Sequence, residues 1–450
     1  MSLTRRHFLR VAALGLLATA CGPSTPATPT SAPAKPTTAP AAASPAAASP
    51  AAAASPAAAA SPAAVASPAA AASPAAAASP AASPAAAAAP AAKPAANLTG
   101  DIPLGAVWSL TGAAAVYGPG QKNGSEQAMN EINASGMLGS AKLKLTSEDD
   151  RSVKEGAIPA FEKLIGTDKV VAILGPTLSN SALAADPIAQ DKKVVVMATS
   201  NTADGILQMG DFIFRDSLPE SVVVPNTVKV TSQALKYTKV AVMYGEDDAF
   251  TKSGYDVFKQ ALTDQKIETL TTETFKKGDT DFSAQLTKIK SLNPQAIILS
   301  ALAEEAAGIM VQGRQLGIPT SVRFIGGNGL NSAQLAKLAG PAAEGAISGA
   351  AWFISNDTPG NAAFVKSYQD KNGSPPDQFA AQAYTGVYLL AYAIRDAGKT
   401  DSQSIRDALA KLSNVDTILG KFSVDPSTRE AVHTPIVQEV KDGQFALFKA

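Results

Sequence analysis

The chain has 450 residues with 38 basic and 38 acidic side chains, but five basic residues (Arg5, Arg6, Arg10, Lys35, Lys93) and no acidic ones precede Leu98. The remainder holds 33 basic against 38 acidic groups, a net charge of −5 with no basic stripe, which argues against a nucleic-acid surface. The single cysteine, Cys21, and the single histidine after residue 98, His433, leave no internal disulfide, no cysteine-based metal site and no set for a zinc, Ser-His-Asp or Cys-His hydrolase.

Taken in chain order, residues 1–20 read as a signal peptide. A basic T-R-R-H-F-L-R segment precedes an apolar run over 11–20, too short to span a bilayer. The Arg5–Arg6 pair followed by Phe8–Leu9 resembles a twin-arginine export signal. L-A-T-A-C-G then resembles a lipobox, which implies that Cys21 is lipidated and anchors the chain to a membrane. The alternative is an incidental thiol beyond the cleavage site. Residues 22–97 repeat variants of A-S-P-A-A-A. Proline every five or six positions interrupts any alanine helix, and apolar side chains are too few for a core, so 21–97 read as a lipidated cysteine followed by a disordered tether.

The folded part is expected over 98–450. An apolar strand from Ile102 is followed by a helix over 120–133 that stops at Gly136, then by a strand over 142–150 and a helix over 154–166. A strand over 170–175, a helix over 181–190 and a strand over 194–198 continue the alternation. Beyond Ser221 the pattern restarts, with strands over 239–244, 268–274, 296–300 and 324–326 separated by helical stretches. Short, continuously apolar strands alternating with helices predict an α/β fold of two parallel sheets, each covered on both faces, with a ligand at the carboxyl ends of the strands.

The opening G-A-V-W-S-L-T-G-A-A-A-V-Y-G (105–118), followed by A-I-L-G-P (172–176), V-M-A-T-S-N-T-A (196–203), V-A-V-M-Y-G-E-D-D-A-F (240–250) and F-I-G-G-N-G-L (324–330), resembles the leucine/isoleucine/valine-binding family of periplasmic binding proteins, which serve ABC importers. The resemblance runs from about Ile102 to Phe448. It implies the type I periplasmic binding protein architecture: two Rossmann-like lobes joined by three crossovers. Lobe 1 would be about 101–220 and 349–432, and lobe 2 about 221–348 and 433–450. It also implies a receptor rather than an enzyme, working outside the cytoplasm without a cofactor or metal and closing its lobes over a branched-chain or other hydrophobic amino acid. Its partners would be a small amino acid or carboxylate, a transporter permease and, through Cys21, the membrane.

The resemblance places Ser179, Asn201 and Thr202 on the ligand carboxylate and Tyr117 over the ligand. T-L-S-N-S precedes a helix, whose N–H groups and positive dipole end favour an anion. On residue type alone, Ser179 and Thr202 read first as helix caps, and the family resemblance turns that to ligand binding. In lobe 2 the sequence departs from the amino-acid receptors of this family. Phe250 stands where they often have Tyr, and Asn328 near where they carry an acid. A buried ammonium without a charged partner is costly. Either Asp247, Asp248, Glu304 or Glu305 supplies the charge, or the ligand is an aromatic or aliphatic carboxylate or an amide without an ammonium. Glu304 and Glu305 begin a helix, where acids also occur for dipole reasons alone. Trp108 reads as core, Asp149 and Asp150 as braces of the second strand, and His433 as structural near the last crossing. A ligand-sensing subunit of a signalling system is a second reading.

Overall fold

The computed structural model describes residues 97–449. The signal segment, Cys21 and the Ala/Pro/Ser repeats up to residue 96 lie outside the described residues.

Two sheets organise the chain. The first is built from β1 (Asp101–Trp108), β2 (Lys142–Asp149), β3 (Ala172–Leu174), β4 (Val195–Ala198) and β5 (Ile213–Arg215), all parallel, in the order β2-β1-β3-β4-β5. Interleaved with them are α1 (Gly118–Ser135), α2 (Lys154–Gly166) and α3 (Ser179–Lys192). The two-residue period of β1 sends Ile102, Leu104, Ala106 and Trp108 to one face and Val107 to the other. Both faces are buried, as a parallel sheet requires. α1 stops at Gly136, whose φ of 69° supplies the left-handed cap.

The chain then crosses to α4 (Glu220–Leu235), β6 (Lys239–Gly245), α5 (Ala249–Asp264), β7 (Glu268–Phe275), α6 (Ser283–Ser291), β8 (Ala296–Ser300), α7 (Ala303–Gln315), β9 (Arg323–Gly326), α8 (Ala333–Ala339) and β10 (Ile347–Ala350). It returns through α9 (Asn361–Asn372), α10 (Gln378–Ala397) and α11 (Ser402–Leu409). A small antiparallel sheet follows, of β11 (Val415–Thr417), β12 (Gly420–Val424) and β13 (Ala431–Val432). It crosses a last time into β14 (Ile436–Lys441) and β15 (Gln444–Leu447). The second sheet has the order β15-β14-β10-β9-β8-β6-β7, parallel except for β14 and β15 at its edge. β10 still pairs in this sheet, so the chain leaves it after Ala350.

α10 covers one face of the first sheet beside α1, and its interior is almost wholly buried. The helices approach closely because position 124 is glycine: a Cβ there would stand 2.2 Å from the Ala380 carbonyl oxygen. Asp377 caps α10 by accepting the Ala380 N–H, and Asp248 caps α5 through the Thr251 N–H.

Three side-chain bridges tie the crossings together. Asn328 Nδ2 donates to the Leu218 carbonyl at 3.0 Å in the first crossing. Gln378 donates to Asn328 Oδ1 at 3.1 Å and accepts the Ala351 N–H at 2.6 Å in the second. His433 Nε2 lies 3.1 Å from the Asp216 carbonyl, linking the third to the first.

Candidate ligand site between the lobes

Strand ends of both sheets meet at a cavity of about 20 Å³. The first lobe contributes Thr177, Leu178 and Ser179 at the entry to α3, Ser200 after β4, Tyr117 and Phe379. The second contributes Phe250, Leu302, Asn328 and Gly329. A space of this size holds about one water molecule. A ligand as large as leucine is therefore admitted only when the walls move apart.

The polar wall is held rigidly. Thr177 Oγ1 accepts the Ser109 N–H at 3.0 Å and donates to Gln121 Oε1 at 2.6 Å. Gln121 Nε2 donates to Ser200 Oγ at 2.9 Å, and that hydroxyl donates to the Thr177 carbonyl at 2.8 Å. Ser179 and Thr202 do not cap helices. The N-cap of α3 is Leu178, while Ser179 Oγ accepts the Ala203 N–H at 3.3 Å and Thr202 Oγ1 donates to Glu220 Oε1 at 3.3 Å. Asn201 Nδ2 donates to the Pro176 carbonyl at 2.8 Å, and its Oδ1 is buried without a partner. Leu178 and Ser179, at the start of α3, line the cavity, and a helix N-terminus favours an anion.

The opposite wall is apolar. Tyr117 stacks at a tilt on Phe379, with centroids 4.5 Å apart. Its hydroxyl reaches across to the second lobe, donating to the Gly329 carbonyl at 2.8 Å and accepting the Ala303 N–H at 2.6 Å. Burial pushes its pKa well above the phenol range. A second clasp lies at the rim. Asn180 Oδ1 accepts the Ala249 N–H at 2.9 Å, capping α5 from the other lobe, while its Nδ2 donates to Asp248 Oδ2 at 3.2 Å. Lys277 Nζ donates to the Ser152 carbonyl at 2.9 Å.

The sequence-predicted Tyr117, Ser179, Phe250 and Asn328 thus line one cavity, with Asn201 and Thr202 in the loop behind Ser179. Asn328 has little left to offer a ligand, since Nδ2 serves Leu218 and Glu220 (2.7 Å) and Oδ1 serves Gln378. Glu304 and Glu305 lie outside the lining. Glu305 Oε1 accepts the Gly278 N–H at 2.7 Å, and burial raises Glu304 to about 7. Asp149 and Asp150 brace the end of β2: Asp149 accepts from Leu110 and Thr111, and Asp150 from Ser109, Ser152 and Ser181.

Sequence reasoning missed Glu220. It begins α4 at the floor of the cleft, fully buried, and accepts from the Asn328 side chain and backbone and from Thr202. Burial raises its pKa to about 7 against those hydrogen bonds and the Arg215 charge. Its Oε2 lies 2.3 Å from where a Cβ at position 327 would stand, so Gly327 permits the approach. An acid directly after a proline carries no sequence signal of this role. Phe379 was also missed, because helices were not assigned between 350 and 430.

Two α/β lobes joined by three crossings, with a small cavity between their strand ends, are the architecture of a small-molecule binding protein. A periplasmic binding protein family model matches residues 101–444, and the chain belongs to that family. It is 27% identical over 325 residues to the leucine-, isoleucine-, valine-, threonine- and alanine-binding protein of Pseudomonas aeruginosa, covering 72% of this chain and 86% of that one. It superposes on the branched-chain amino acid transporter substrate-binding protein LivJ of Streptococcus pneumoniae, solved with isoleucine, at a TM-score of 0.72 and 28% identity, covering 77% and 97%. A solute-binding protein of an R. palustris ABC transporter, solved with benzoate, has a TM-score of 0.70 at 23% identity over 77% and 95%, a likeness of fold. Members of this family bind small molecules outside the cytoplasm and deliver them to permeases.

Proposed function

We infer that this protein is a lipid-anchored receptor that closes over a small hydrophobic carboxylate, one without an ammonium group, and delivers it to an ABC importer. The observation that carries this reading is the cavity itself. An anion-favouring helix start and hydroxyls form one side, Phe250, Leu302, Phe379 and the Tyr117 ring form the other, and none of the lining side chains is charged. The Ser179 and Thr202 hydroxyls and the Asn201 backbone N–H receive the carboxylate, and Tyr117 and Phe250 enclose the apolar body. The lipobox at Cys21 and the repeats after it supply the anchor and tether, and the paired arginines the export route.

A branched-chain amino acid is the second reading, favoured by the relatives that bind one. It requires Glu220, reached through Asn328, to offset the ammonium. A thermal-shift screen of the unfolded and refolded full chain separates the two. At 100 times its Kd a ligand adds about 2.7 kcal/mol, a clear rise in Tm. Stabilisation by benzoate-like acids alone supports the first reading, and by leucine, isoleucine or valine the second. No response from any carboxylate rejects both and returns weight to a sensor for another ligand.

A further inference from the structure

The hydroxyl of Thr202 has one acceptor in this structure, and the ligand position proposed above would give it a second. Glu220 Oε1, 3.3 Å away, takes its hydrogen in this structure, and a ligand carboxylate at the α3 entry requires the same hydrogen. A threonine hydroxyl carries one hydrogen and two lone pairs, so it cannot donate to both. If it turns to the ligand, its oxygen faces Glu220 lone pair first, and an ionised Glu220 has nothing to give it. A protonated Glu220 donates to Thr202 Oγ1, which in turn donates to the ligand.

We propose that Glu220 takes up one proton as an anionic ligand seats against Thr202, so that the receptor binds its ligand together with a proton. The step balances: carboxylate, solvent proton and anionic ligand give a neutral carboxyl beside a bound anion, with no net charge added to the cleft floor. It rests on Thr202 receiving the ligand carboxylate.

The surroundings of Glu220 favour this exchange. Arg215 on β5 is the charged side chain that acts on it, and the guanidinium is already held by Glu430 through Nε (2.7 Å) and Nη2 (2.5 Å). α5 presents Gly254 and the turn after β9 presents Gly327 and Asn328, none of them titratable. A ligand carboxylate that takes the Thr202 hydrogen therefore leaves Glu220 with no free cation and no donor from Thr202, and only a proton of its own restores that hydrogen bond. Burial holds Glu220 at about 7, above the ordinary carboxylate range, so the exchange falls in the physiological range.

The test is titration calorimetry of the full chain with benzoate and with leucine, at pH 6 and pH 8, in phosphate and in Tris, whose ionisation enthalpies differ. The expected result is uptake approaching one proton per ligand at pH 8 and little at pH 6, with affinity falling up to tenfold per pH unit above about 7.5. In Glu220→Gln the amide donates to Thr202 as the acid would, and both the buffer dependence and the pH slope disappear. Thr202→Val abolishes uptake as well, at a cost in affinity, and covers the case in which Glu220→Gln fails to fold. Binding without uptake overturns the proposal alone. Uptake that persists in both variants assigns the proton elsewhere, to Glu304 for instance, and overturns it too. If neither benzoate, leucine nor any other carboxylate of the thermal-shift panel binds, the reading of the site itself falls, and the proposal with it.

Discussion

Replacing Tyr117 by Phe removes one oxygen from the protein and both of the hydrogen bonds by which that residue spans the lobes. The hydroxyl donates to Gly329 and accepts from Ala303 where solvent is excluded. A net value of about 1 kcal/mol for each bond, with some further cost for leaving a buried carbonyl and N–H unpaired, gives a loss of about 2–3 kcal/mol. Both partners belong to the opposite lobe, so the loss falls on the closed state only. Ligand Kd should weaken roughly 30- to 150-fold, mainly through faster release, while the unfolding free energy of ligand-free, open protein stays unchanged. Calorimetry with the ligand found by thermal shift gives the first quantity and urea denaturation the second. A Kd within threefold of the unsubstituted protein would refute the reasoning, as would an equal loss of unfolding free energy without ligand, which would assign the bonds to the fold rather than to closure.

Asn180→Ala removes the cap that α3 lends to α5 and should cost about 1–2 kcal/mol of closure, read as a roughly 5- to 30-fold faster ligand release in stopped-flow fluorescence. Glu220 and His433 set opposite pH dependences. The raised pKa of Glu220 in the fold stabilises its protonated form, a contribution lost as pH rises from 4.5 to 7; Glu220→Gln should therefore be more stable than the natural chain at pH 8, by up to about 3 kcal/mol in urea melts. Burial lowers His433 to about 4, so its contribution is lost as pH falls from 6.5 toward 4. His433→Gln should flatten the acid side of the stability curve by a similar amount, measured by denaturation between pH 4 and 7. Gly124→Ala drives a methyl into the Ala380 carbonyl and should lower Tm by several degrees in calorimetry, since α1 and α10 cannot both hold their places.

Local periodicity made much of this architecture legible. The helix predicted over 154–166 spans Lys154–Gly166, and the strand over 296–300 is β8, because apolar runs bounded by turn residues carry their own limits. β5 has three residues and α9 to α11 lie where no strand alternates with them, so neither leaves a comparable signature. Of the residues that line the cavity, Ser179, Phe250 and Tyr117 were named from the sequence through the family resemblance. The employment of Asn328 by Glu220, Leu218 and Gln378 was not, since it depends on residues about 50 and 110 positions away in sequence. Glu220 was hidden for the same reason: only the folded chain brings Thr202, Gly327 and Asn328 around it.

The interleaving of the lobes also sets a timetable for synthesis. β13 pairs with β12 beside the first sheet, and a few residues later β14 pairs with β10 in the second. Both lobes therefore remain unfinished until nearly the whole polypeptide has left the ribosome, with β10 offering an open sheet edge to any neighbouring nascent chain in the meantime. A stop codon just after Val432 would spare the first sheet and strand the second.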